Sequence, residues 1–102
     1  MTTCIVKKEK EEAVLEVKGH SGYANHGEDI VCASISTACI MSANLIDKLN
    51  LGYNILDLKV SDGYFKINLK IVDETVNGIF DNLIETFNEL SNQYPKHLKI
   101  KN

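Results

Sequence analysis

The run GHSGYANHGEDIVCASIST, residues 19–37, gathers His20, His26, Asp29, Cys32 and Ser36 into one short stretch. A thiol and an imidazole are the two working parts of nucleophilic cysteine catalysis: the thiolate attacks a carbonyl carbon, and the imidazole takes up a proton and later returns it. Cys32 stands where a polar, glycine-bearing segment gives way to an apolar one, as at a helix start. Free amides and the positive end of the helix dipole there favour a thiolate, so a lowered thiol pKa is expected. His20 lies in GHSG, whose glycines let the chain bend back over the helix start and bring the ring to Cys32 as base and then as acid.

Plainer readings of the same residues stand beside this one. A cysteine opening an apolar helix is also an ordinary small buried hydrophobe. Asp29, three positions before Cys32, can cap the free amides of the helix or hold the loop and the histidine in place. Ser36, one turn after Cys32, can reach the thiol or a substrate carbonyl, or bond back to its own helix. Gly19 suits a close backbone approach by the loop or a peptide, and equally an ordinary turn. His26 is a second candidate base on what reads as an exposed, mobile loop. Cys39, seven positions beyond Cys32, reads as a structural thiol deeper along the same helix, Cys4 as a strand core residue, and His97 carries no pattern.

The elements that must position these groups follow from periodicity. TTCIVKK and AVLEVKG, separated by the charged EKEE, read as a hairpin. Val31, Ile35, Ala38, Leu45 and Leu49 recur at helical spacing and predict a helix from about Asp29 to Asn50, stopped near Gly52. In YFKINLKI the apolar Phe65, Ile67, Leu69 and Ile71 alternate with polar residues, and with YNILDLKV they form a half-buried hairpin closed at Asp-Gly. Val76, Ile79, Phe80, Leu83, Phe87 and Leu90 mark a second helix, broken by Pro95, and HLKIK alternates again as a last strand. The expected fold is one α+β domain over residues 1–102: a two-layer sandwich, order β-β-α-β-β-α-β, with a mainly antiparallel sheet and two helices packed on one face.

Composition narrows the function classes. The chain has 102 residues, 44% hydrophobic and 25% charged, as in folded soluble domains, with a net charge of −3. Its eleven basic residues are all lysine. Arginine best makes bidentate contacts to phosphate and guanine, so direct nucleic-acid binding is not expected. No apolar run approaches the roughly 20 residues of a membrane span. Nor does the N-terminus read as a signal peptide, so a cytoplasmic location is expected and a membrane partner is not. Cysteines at 4, 32 and 39 form no CxxC pair and no disulfide framework.

The stretch closely resembles the signature of the ribosomal-processing cysteine proteases, small bacterial enzymes with a Gly-His before a glycine-bearing loop and an Asp-Ile-Val-Cys-Ala entry to a helix. The likeness is strong over residues 19–38, and the flanking elements agree in order and length. Carried over by position, His20 matches the catalytic histidine and Cys32 the nucleophile, with the same eleven residues between them; Gly19 matches the motif glycine. The resemblance implies removal of a short N-terminal extension from the large-subunit ribosomal protein numbered twenty-seven, held as an extended peptide, with no metal or organic cofactor. A homodimer is compatible with it.

Two readings of other classes are kept. One is a non-catalytic ribosome-associated module that uses the same loop for binding. The other is a small metal site of His20, His26 and Cys32 with Asp29. The loop over residues 19–28 has little to bury and is expected to be mobile until a peptide closes it.

Overall fold

In the computed structural model, residues 1–25 and 27–102 are described. The chain runs β1 (Thr2–Lys8), β2 (Glu12–Lys18), α1 (Ile30–Lys48), a 3-10 turn (Gly52–Asn54), β3 (Ile55–Ser61), β4 (Tyr64–Lys70), α2 (Glu74–Gln93) and β5 (Leu98–Lys101). The strands form one sheet in the order β3-β4-β2-β1-β5. Three of its pairings are antiparallel; β5 lies parallel to β1.

Both helices cover one face of the sheet, and the topology explains why. The β2-α1-β3 connection crosses the sheet in one direction and β4-α2-β5 in the other, starting from strands that are themselves antiparallel. Two right-handed crossovers arranged in this way place their helices on the same side.

Strand alternation then sets the core. Cys4 and Val6, Ala13, Leu15 and Val17, and Phe65, Ile67 and Leu69 all point to the helix side and are buried. From α1 they meet Val31, Ile35, Cys39, Ala43 and Ile46, and from α2 Val76, Phe80, Leu83 and Phe87. Phe80 and Phe87 are almost wholly enclosed, and each such ring contributes about 2–3 kcal/mol of burial.

The structure corrects the reading of α1 in three places. Leu45 and Leu49 lie on its outward face, 46% and 47% exposed, and the core positions are Cys39, Ala43 and Ile46 instead. The helix ends at Lys48 with Leu49 as its C-cap, close to the expected end at Asn50, but the stop is made by Asn50 rather than Gly52: Asn50 takes a left-handed φ of 62°. Its amide donates to Asp47 O and that of Leu51 to Ile46 O, at 3.0 and 2.9 Å, which is a Schellman stop with asparagine in glycine's usual place. Finally, α1 is 19 residues long and has a mean hydropathy of 1.6 over an 18-residue stretch, so by length and composition it does reach a membrane span. Its buried stripe packs on the sheet, and its apolar outward residues account for the rest of that value.

Candidate active site

The site forms where β2 hands the chain to α1. Asp29 is the N-cap of α1, and its Oδ1 accepts from the Cys32 amide at 2.9 Å. Its Oδ2 accepts from the Ser21 hydroxyl and from the amides of Tyr23 and Ala24, at 3.1 and 3.4 Å for the two amides. The two roles weighed for Asp29 are thus both filled, one by each oxygen. The loop is clasped to the helix start, although the carboxylate does not bond to the histidine. Partial burial pushes the Asp29 carboxyl up, but the bonds from Ser21, Cys32, Ala24 and Tyr23 outweigh it and hold the pKa down from 3.8 to about 2.

A second anchor comes from the far end of the chain. Tyr23 packs edge-on against Tyr94 and His97, with ring centres 5.5 and 5.4 Å apart. His97 Nδ1 donates to the Ser21 carbonyl at 3.0 Å, and Ser21 is 1% exposed. The loop buries little, as expected, since Ser21 alone of its described residues is buried, but Ser21 and Tyr23 are tied by hydrogen bonds and ring contacts both to the start of α1 and to the Tyr94–His97 segment. His97 and Tyr94 stand more than seventy residues away in sequence, so no local pattern pointed to them.

Gly19 adopts φ +92°, and a Cβ there would lie 2.8 Å from the Met1 carbonyl oxygen. The close approach foreseen at Gly19 is made by Met1, the residue just ahead of β1. Its amide also donates to Gly63 O at 2.8 Å, joining the loop to the β3-β4 turn.

His20, Asp29, Cys32 and Ser36 line one cleft of about 280 Å³. Cys32 and Ser36 also line an adjoining slot of about 200 Å³ between α1 and the β3-β4 hairpin, walled by Val17, Ile35, Ile40, Val60 and Phe65. Ser36 therefore faces both spaces beside the thiol; the back-bond to the helix carbonyl is made by Ser34, to Ile30 O at 2.7 Å.

The expected low thiol pKa is also corrected. Burial, followed by the Asp29 and Asp62 carboxylates, pushes the Cys32 thiol up; only the Ser21 backbone acts the other way. The helix dipole does not rescue it, because Asp29 sits on the positive end and neutralises it. The His20 ring shares the cleft without a hydrogen bond to the thiol, and its Nε2 lies 3.9 Å from Asp62 Oδ2.

Cys4 and Cys39 are buried structural thiols, each pushed up to about 12 chiefly by burial. His26, the alternative base, lies outside the described residues. Among the described residues no group of three His, Cys, Asp or Glu side chains is placed to hold a metal ion.

Known proteins share the family and the fold. The model of the cysteine protease Prp family matches residues 1–99. The ribosomal processing cysteine protease Prp of Bacillus subtilis is 28% identical over 67 residues, covering 64% of this chain and 60% of that protein. Among solved structures, an essential ribosomal processing protease Prp from S. aureus, in complex with a covalently linked product peptide, superposes with a TM-score of 0.83 at 20% identity. That match covers 99% of this chain and 98% of the other. SMU.848 from Streptococcus mutans gives a TM-score of 0.76 at 28% identity, covering 99% and 92%. With the family match spanning all but the last three residues, the chain belongs to the cysteine protease Prp family.

Proposed function

We propose that this chain is a cysteine endopeptidase that removes the short N-terminal extension of large-subunit ribosomal protein twenty-seven, with Cys32 as nucleophile and His20 as general base and acid. The observation that carries the reading is that Cys32, His20 and Ser36 line one and the same cleft. The slot beside it, walled by Val17, Ile35, Ile40, Val60 and Phe65, suits an extended apolar peptide lying along α1 and the edge strand β3.

The raised thiol pKa decides how the reaction starts. With burial and two carboxylates disfavouring a resting thiolate, the proton leaves Sγ for His20 as Sγ bonds to the scissile carbonyl carbon. His20 then gives that proton to the departing amine as the peptide C–N bond breaks, leaving an acyl-enzyme. Water, losing a proton to His20, attacks the thioester carbon, and the proton returns to Sγ as the acid departs. The Cys32 amide is held by Asp29 and is not a donor to the developing oxyanion; in this reading the Ser36 hydroxyl, which lines the same cleft, takes that task.

The same reading puts the protein in the cytoplasm, with its peptide substrate as the required partner and no role for a nucleic acid. We also propose a homodimer, supported by the uncovered apolar residues Met41 and Leu45 of α1 and Leu49 at its C-cap. The test of function is cleavage of a peptide spanning the extension junction, followed by mass spectrometry. The wild-type chain is expected to cut it at one bond, and Cys32→Ala and Cys32→Ser to leave it intact with unchanged circular dichroism. Turnover by the alanine variant would remove Cys32 from the mechanism.

A further inference from the structure

A Cys/His pair works best when a third group fixes the imidazole, and the obvious acid cannot do so here. Asp29 commits one oxygen to the Cys32 amide and the other to Ser21, Tyr23 and Ala24. The ring meets a different element. Gly19, the residue before His20, donates from its amide to Gly63 O at 2.8 Å, which sets the start of the loop against the β3-β4 turn. At Gly63 a Cβ would lie 2.8 Å from His20 Nε2 and 3.1 Å from Cε1, so the ring occupies the space a side chain would fill. The neighbouring Asp62 points its Oδ2 at the same nitrogen, 3.9 Å away.

We propose that the Asp62-Gly63 turn is the seat of the catalytic imidazole, with Asp62 as the positioning residue that accepts from His20 Nε2–H and leaves Nδ1 to exchange the proton with Cys32. The inference rests on the protease reading above. At 3.9 Å the contact is longer than a hydrogen bond, so the turn closes by about 1 Å to complete it. Both side chains are more than half exposed in the free protein, at 56% and 81%, and water screens the pair there. Asp62 and Gly63 also line the slot that runs past Cys32. A peptide in that slot excludes the water and strengthens the contact when it is needed.

Asp62 touches the chemistry in a second way, since its charge is among those that disfavour the Cys32 thiolate. Its removal therefore has two effects of opposite sense: the thiol ionises more readily, yet hydrolysis slows. A residue that only supported the fold would not produce that combination.

The experiment compares the wild-type chain with Asp62→Asn and Asp62→Glu on the junction peptide and, separately, measures the pH dependence of Cys32 alkylation by iodoacetamide. For Asp62→Asn we expect kcat to fall by about 10-fold or more, KM to stay within about 2-fold, and the alkylation midpoint to move to lower pH. Asp62→Glu, which keeps the acceptor, should recover most of kcat. An unchanged kcat in Asp62→Asn, or a loss with no movement of the alkylation midpoint, overturns the assignment while leaving the protease reading intact. A wild-type chain that cleaves no junction peptide overturns both.

Discussion

The two helices begin with the same residue and put it to different use. Asp73 caps α2, its Oδ1 accepting from the amides of Thr75 and Val76 at 2.8 and 3.1 Å, as an N-cap aspartate ordinarily does. Asp29 caps α1 with one oxygen and spends the other on three donors from the preceding loop. The first arrangement starts a helix. The second starts a helix and fastens the segment that carries His20 to the turn that carries Cys32. One carboxylate thus links backbone order to the geometry of the proposed site, and only at the helix that bears Cys32.

The largest effects should come from the groups that the α1 clasp serves. Loss of the thiol in Cys32→Ala should abolish cleavage, and His20→Ala should lower kcat by ~10²-fold or more, the scale of a lost general base. Asp73→Ala should leave peptide turnover unaltered. Any comparable kinetic loss at Asp73 would mean that the two helix starts are not functionally distinct.

Next in size is the direct contrast of the caps. Asp29→Ala and Asp73→Ala should each lose about 1 kcal/mol in urea unfolding, as for a removed N-cap. Only the Asp29 variant should also lose activity, by about 10-fold, through a displaced loop. If the kinetic losses are equal, the clasp has no catalytic part.

A subtler comparison uses amide exchange. The amides of Tyr23 and Ala24 should exchange more slowly in the wild-type chain than in Asp29→Ala, whereas those of Thr75 and Val76 should respond to Asp73→Ala alone. Matching rates for Tyr23 and Ala24 in both proteins would show the loop to be held by its aromatic contacts.

The smallest effect is the pH dependence. Asp29 has its pKa lowered on folding, from 3.8 to about 2, so it binds its proton less readily in the folded state. Its contribution is complete above about pH 5 and disappears as pH falls through 3.8 towards 2. Acid unfolding followed between pH 5 and 2 should therefore be less steep in Asp29→Asn than in the wild type.

Much of this molecule can be read from its residues. Strict alternation in Phe65, Ile67, Leu69 and Ile71 defines β4 and its buried face, and the Gly-His and Asp-Ile-Val-Cys elements mark the site. What was not legible depends on long-range packing. Leu45 and Leu49 fit the helical period as well as Ala43 and Ile46 do, and only the docking of α1 on the sheet decides which pair is covered. The partnership of Tyr23 with Tyr94 and His97 requires β5 to lie beside β1, which no local pattern specifies. The sign of the Cys32 shift likewise depends first on burial, then on the Asp29 charge and on that of Asp62 thirty positions away, none of which a helix-dipole argument counts.

The three sulfurs are unequally available. Cys4 on β1 and Cys39 on the inner face of α1 lie sealed in the core, 0% and 1% exposed, whereas Cys32 opens onto the cleft. A membrane-permeant alkylating agent should therefore add one label to the native chain and three to the unfolded one. The mass of the labelled protein then reports, molecule by molecule, both whether a chain is folded and whether its Cys32 thiol is free. Oxidants should follow the same route, inactivating the protein by a single sulfenic acid at Cys32 before any damage reaches the core.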